Sequence, residues 1–340
     1  MSLLIIITLY FVTSILLKNS IGFFTNSSLL DYPTDRSNHD VPKPKCAGLI
    51  LIPLLIIATL LVFFLEKIYN TTWLIIFGFC LILCALSFLD DLKSINSKIR
   101  LVFQFFCVAS SVLMINENIL NELQLEKLEF LYIYQLSLYD ILFFFFAVIL
   151  WVWITNLFNF MDGMDGISVV QVSFFSLCTN FLAILGLIEI NFLYFSLILL
   201  SISIAFYSVN KPPAKIFLGD VGSIPFGFLI GFIIVYHMIK SELIIPFLII
   251  IMYYLLDSSL TLFGRMLKKE NIFEAHSNHF YQKLIRKGYS HKYVLAKIII
   301  LNSILLFISM LSLILPIFSL LSSITITMIF LYFFDSKEKQ

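Results

Sequence analysis

The chain has 340 residues, of which 60% are hydrophobic and only 13% charged, and its mean hydropathy is +1.00. Soluble domains average about 45–50% apolar and about 25% charged, and a single core stops growing at roughly 250–300 residues. The composition therefore excludes an ordinary soluble protein and requires lipid as part of the solvent. The 22 basic and 21 acidic residues leave net charge silent about partners, and no nucleic acid is expected.

A helix needs about 20 mostly apolar residues to cross the hydrocarbon. In chain order, eleven segments qualify: 2–22, 46–65, 73–89, 99–116, 137–155, 167–187, 190–209, 221–239, 243–263, 293–314 and 317–335, with Pro316 marking the last hairpin. All are read as helices, because unpaired strand backbone is too costly in lipid. The expected architecture is an all-α, polytopic transmembrane bundle of about 11 spans, forming one domain over 1–340. The first segment has no cationic region before it and no small-residue cleavage site, so it is read as a retained span.

Lysine and arginine set the orientation. With the N-terminus outside, the outer loops hold only Lys67, Lys127 and Lys240, and the remaining 19 basic residues lie on or beside the inner face. Basic residues favour the cytoplasmic side, so the C-terminus is expected to be cytoplasmic. The inner loops 23–45, 90–98, 156–166, 210–220 and 264–292 hold every unusual cluster of Asp, Asn, His, Gly and Pro. They are expected to form one active site. The five cysteines (Cys46, Cys80, Cys84, Cys107, Cys178) fall mostly in apolar stretches and are read as small buried hydrophobes.

The first inner loop, Asp31 to Gly48, is proline-stiffened and by itself uninformative. Asp90 and Asp91 end the third span, followed by Lys98 and Arg100. Two adjacent carboxylates at a bilayer edge are expensive to desolvate, so a metal ion, Lys98 or a substrate should offset them; the plain alternative is a solvated helix cap. Asn156, Asn159, Asp162 and Asp165 recur three residues apart, with Gly163 and Gly166 between. On a helical turn they would share one face, and the glycines permit close backbone approach. The oxygen spacing of a calcium loop, ending in Glu, is absent.

The Gly219-Asp220-Val221-Gly222-Ser223 run enters the eighth span, preceded by Asn210 and Lys215. A glycine-rich turn before a helix offers N–H groups to an anion. Asp220 is the natural ligand there for magnesium, a hard ion that takes carboxylate and phosphate oxygens. His276 and His279 lie in the largest inner loop with Lys283, Arg286 and Lys287. With no third ligand placed to complete a zinc site, contacts to phosphate are the better reading.

In this order the clusters resemble the bacterial polyprenyl-phosphate N-acetylhexosamine-1-phosphate transferase family, glycosyltransferase family 4, which also includes the phospho-MurNAc-pentapeptide translocase. The match runs from about 31 to 284. It rests on Asp-x-Pro-x-x-Arg-x-x-His (Asp31 to His39), Asp90-Asp91, Asn156 to Gly166, Asn210 followed by Asp220, and the final His motif. The resemblance implies a cytoplasm-facing cleft in the bacterial inner membrane, dependence on magnesium (with manganese as a substitute), undecaprenyl phosphate as acceptor and a UDP-sugar as donor. A homodimer is a further option.

By motif, Asp90, Asp91, Lys98, His276 and His279 would be catalytic. Asp220 would hold the metal, and Asn156, Asn159, Asp162, Asp165, Asn210, Lys215, Arg36 and His39 would bind substrate. The implied reaction moves a sugar-1-phosphate and releases UMP, starting O-antigen, capsule or other envelope polysaccharide synthesis. The chain departs from the pattern in lacking a third downstream Asp after Asp91, in carrying Ala47-Gly48 where many members have Gly-Gly, and in lacking three consecutive histidines. That last departure looks more like the O-antigen or capsule branch than the peptidoglycan branch. The rival from another class is an ion-coupled transporter, but its carboxylates would lie near the bilayer midplane rather than at one end of the spans.

Overall fold

The computed structural model describes residues 2–25, 29–33, 41–116, 138–271 and 276–336. Arg36 and His39 lie outside the described residues. The helices are α1 Ser2–Thr25, α2 Gly48–Leu65, α3 Thr71–Lys93, α4 Ser97–Ile115, α5 Leu138–Phe160, α6 Ile167–Ile184, α7 Ile190–Asn210, α8 Asp220–Lys240, α9 Ile244–Ile250, α10 Met252–Leu267, α11 Phe280–Arg286, α12 His291–Leu311 and α13 Pro316–Ser336. The fold is thus all-α, with a two-residue antiparallel pair, β1 (Leu30–Asp31) and β2 (Lys43–Pro44), in the first loop.

Ten of these helices are long and apolar enough to span a membrane, and the α9–α10 pair makes up to eleven. The segment 243–263, expected as one straight span, is instead broken at Ile251 and bent by 69°. A break frees backbone carbonyls that lipid cannot satisfy. Neighbouring spans satisfy them here: Gln171 Nε2 donates to the Ile250 carbonyl at 2.8 Å and Ser309 Oγ to the Pro246 carbonyl at 2.9 Å.

The bundle is organised around α8, which is buried on every side from Val221 to His237. Glycine permits its close approach to α5: a Cβ on Gly231 would stand 2.3 Å from Trp151 Cδ1. The same indole Nε1 donates to the Phe228 carbonyl at 2.8 Å. Trp73 of α3 fills the other side, its ring 4.8–5.5 Å from those of Phe63, Phe192, Phe195 and Phe232.

The inner ends of α2 and α8 are sewn together. Phe217 N donates to the Pro44 carbonyl, Ala47 N to Phe217 O and Gly48 N to Leu218 O, at 2.8–3.1 Å. Gly219 adopts φ +74, and a Cβ there would meet the Lys45 carbonyl at 2.2 Å, so only glycine fits the turn that presents Asp220.

Candidate active site

Asp90 sits in the last turn of α3, and Ser94 closes that helix in the left-handed region at φ 43. The chain then reverses, and Asp90 Oδ1 accepts from Ile95 N at 2.6 Å. Asn96 caps α4 by accepting from Lys98 N at 2.9 Å. That cap sets the phase of α4. Arg100 and Gln104, one turn apart, face the bundle, whereas Lys98, expected near phosphate, is exposed.

Arg100 Nη1 contacts Asp90 Oδ2 at 2.5 Å and Asp220 Oδ2 at 3.1 Å. Asp220 Oδ1 accepts from Asn159 Nδ2 at 2.8 Å, and the same amide reaches Ser223 Oγ at 3.1 Å. Four elements thus bring Asp90, Arg100, Asn159 and Asp220 to one point. Asp91 turns away from it: its side chain is 7% exposed and pairs with Lys45 Nζ at 2.9 Å. Burial alone would lower the Lys45 pKa, but the hydrogen bond and charge of Asp91 hold it above its ordinary value, so this lysine stays a cation.

The Asn–Asp run does not lie on one helical face. α5 ends at Phe160, leaving only Asn156 and Asn159 on helix. Asn156 donates to Gln104 Oε1 at 2.6 Å. Asp162 Oδ1 accepts from Ser168 Oγ at 2.6 Å, and enclosure by protein, reinforced by the charge of Asp220, pushes its carboxyl up to about 8. Asp165 accepts from Ala214 N at 2.9 Å and lies 3.3 Å from His291 Nδ1. Burial opposes its charge, yet those partners hold its pKa below the ordinary value.

Asn210 is also buried, accepting from Gly166 N at 3.0 Å and donating to the Ile216 carbonyl at 2.9 Å. Asp165 and Asn210 therefore brace the loops rather than line the cleft. Lys215 is exposed. At the start of α8, the N–H groups of Gly222 and Ser223 already bond the Gly219 carbonyl at 2.9 Å, so those two amides serve the helix rather than an anion.

His276 and His279 stand with ring centroids 5.0 Å apart. Burial, then the neighbouring His279 and Arg265, lowers the His276 pKa to about 4, leaving a neutral ring at pH 7. Arg265 is held by Glu270 at 2.9 Å and by the Asn271 carbonyl at 2.7 Å, and Arg286 donates to Ser277 Oγ.

Arg100, Asn156, Asn159, Asp220, His276 and His279 line one end of a cavity of about 600 Å³. Apart from Ser97 and Gln104, its remaining wall is apolar and includes Leu101, Phe105, Ile149, Val152, Trp153 and Leu262. Ile149 is ten residues before Asn159 on α5, about 15 Å along the helix at 1.5 Å per residue, so the cleft runs from a charged mouth into the membrane layer.

Four contributors were not assigned from sequence: Arg100, Gln104, Lys45 and Asp257. Asp257 lies in α10 and bonds His279 Nδ1 at 2.9 Å. A carboxylate inside an apolar span is a signal in its own right, and the polar pair Arg100–Gln104 at helical spacing was another.

The model for glycosyl transferase family 4 matches residues 73–238. Over that stretch the chain resembles this family. The matched stretch contains Asp90, Arg100, Asn159 and Asp220, but not the histidine loop. A probable undecaprenyl-phosphate N-acetylglucosaminyl 1-phosphate transferase of Bacillus subtilis (strain 168) is 25% identical over 270 residues, covering 77% of this chain and 71% of that protein. The phospho-N-acetylmuramoyl-pentapeptide-transferase of Petrotoga mobilis is 29% identical over 216 residues, covering 61% and 64%. That of Nautilia profundicola is 34% identical over 125 residues, covering 31% and 34%. The chain is therefore a multi-pass membrane transferase, as its motif order implied.

Proposed function

We propose that the protein transfers the sugar-1-phosphate of a UDP-N-acetylhexosamine to undecaprenyl phosphate and releases UMP. The observation that carries this reading is the cleft, charged at its mouth and apolar along its depth. Such a shape suits an acceptor with a phosphate head and a long hydrocarbon tail. An oxygen of the lipid phosphate attacks the sugar-side phosphorus of the donor, a new P–O–P linkage forms, and the bond from that phosphorus to the bridging oxygen breaks, leaving UMP.

The reaction brings two polyanions together, so positioning and charge neutralisation are most of what catalysis requires. Arg100 offers a planar fork matched to phosphate oxygens. Asp90, the member of the pair that contacts Arg100 beside the cleft, would take the acceptor's remaining proton, and Lys45 keeps Asp91 paired beside it. The donor set also suits magnesium. Asp90 and Asp220 converge on one cationic position, held here by the guanidinium of Arg100, and magnesium takes one or two carboxylates and leaves its other positions to water and substrate phosphates. When bound, the ion would neutralise charge on the diphosphate.

The basic residues around the histidine loop support a site on the cytoplasmic face of the bacterial inner membrane. The transporter reading loses ground because α8 is apolar and buried between Ile224 and Val235, with no polar group at mid-membrane depth on the central helix.

The test is UMP release by purified protein with undecaprenyl phosphate, magnesium and a panel of UDP-sugars that includes UDP-MurNAc-pentapeptide. Release with one N-acetylhexosamine donor is expected. Release with the pentapeptide donor alone would assign the protein to the peptidoglycan branch, and no release from any donor by folded protein would sink the transferase reading. In the same assay, Arg100→Ala should lower turnover about a hundredfold or more, the scale of losing one preorganised charge contact. Lys98→Ala, on the exposed face, should stay within about threefold; equal losses from the two would overturn the placement of Arg100.

A further inference from the structure

One carboxylate beside the cleft has no part in the reaction as described. Asp257 lies within α10 at 0% exposure. Its Oδ1 accepts from His279 Nδ1 at 2.9 Å, from Phe280 N at 3.2 Å and from Thr261 Oγ1, one turn on, at 3.4 Å. The side chain thus ties the start of α11 to a membrane helix and grips the imidazole at the same time. Burying a carboxylate this completely costs several kcal/mol unless it is hydrogen-bonded, and a loop can be anchored by neutral groups. A charge at this position is therefore informative.

The chemistry of the contact fixes the state of the histidine. A carboxylate oxygen only accepts, so Nδ1 carries the proton and Nε2 is left as the working nitrogen. His279 is 3% exposed and cannot swing away: the Tyr281 ring stacks on it at 5.8 Å and 17°, and His276 stands on another side. Its backbone is held too, because His279 N donates to Gln282 Oε1 at 3.2 Å. The ring nevertheless lines the cleft with Asp220 and Asn159. A carboxylate behind a histidine sets tautomer and ring orientation and raises the basicity of the far nitrogen.

Resting on the transferase reading, we propose that Asp257 is a positioning residue that acts through His279. It holds the ring in the Nδ1–H form with Nε2 available to the donor's diphosphate, through a charge-assisted hydrogen bond.

The experiment is a double-substitution cycle in the full-length protein, read as UMP release with undecaprenyl phosphate from the panel donor that the wild type uses. Asp257→Asn keeps an acceptor for Nδ1–H and for Phe280 N–H but removes the charge. It should lower kcat about 10–100-fold, the usual cost of losing such a partner, and leave KM for the UDP-sugar within threefold. On a His279→Ala background the same substitution should cost less than twofold, because the group it acts through is gone. If Asp257→Asn does not purify as a folded, monodisperse protein, Asp257→Glu is read instead: it keeps the charge but displaces the accepting oxygen by a methylene, so kcat should fall at least threefold and that loss should shrink below twofold on the His279→Ala background. A kcat within threefold of wild type, or a penalty undiminished on the His279→Ala background, would overturn the role and leave Asp257 as a loop anchor. An active wild type with an indifferent Asp257 variant sinks this inference alone, whereas a folded wild type inactive with every panel donor sinks the transferase reading and this role with it.

Discussion

Asp220→Asn is expected to lower UMP release about a thousandfold or more, at the upper end for loss of one preorganised electrostatic group. The size follows from the two partners of the carboxylate. Its Oδ1 accepts from Asn159 Nδ2 and its Oδ2 from Arg100 Nη1, and both partners are donors. An amide replaces one oxygen with NH₂, so in either orientation a donor faces a donor. The charge that magnesium would need is lost as well. The side chain is 36% exposed, so the fold should tolerate the change, and melting in detergent should move by no more than a few degrees. Retention of a tenth of wild-type turnover across a magnesium titration would remove Asp220 from the centre of the site.

Gly48→Ala should damage the fold instead. A Cβ there would stand 2.3 Å from Gly222 N, 2.5 Å from Gly222 Cα and 2.6 Å from Val221 C. All three are backbone atoms, so no side chain can rotate aside. Overpacking against side chains typically costs about 1–3 kcal/mol; here α2 must retreat from α8, breaking the bonds of Ala47 N and Gly48 N to Phe217 O and Leu218 O. A cost of about 3 kcal/mol or more is expected, with melting lowered by roughly 5 °C or more and activity falling with it. Gly78→Ala is the control: it lies on an exposed face of α3, and nothing stands within 4 Å of its added Cβ. Equal melting of the two variants would show that the α2–α8 contact is looser than described.

The spans were legible because lipid imposes a simple rule on composition, and each apolar run became a helix. The break at Ile251 was not, because the whole segment still passes as one span and the groups that stabilise the break, Gln171 and Ser309, come from other spans. The site divides in the same way. Asp90, Asn159 and Asp220 stood out as polar residues at span ends, and they meet. Asp162, Asp165 and Asn210 carry the same side chains in the same loops, but their partners, Ser168, Ala214 N and Gly166 N, depend on how those loops pack. Lys98 was the expected cation and Arg100, two residues on, was passed over, because the Asn96 cap that sets the turn of α4 is not legible in the sequence. Asp257 escaped notice because its significance lies in a partner 22 residues away.

The apolar, fully enclosed α8 has a consequence for the fate of the product. Its middle, Ile224 to Val235, carries no hydrophilic side chain, while Arg100, Asn159, Asp220, His276 and His279 gather at the cleft. The central helix therefore offers a newly linked sugar no polar path across the bilayer along its own length.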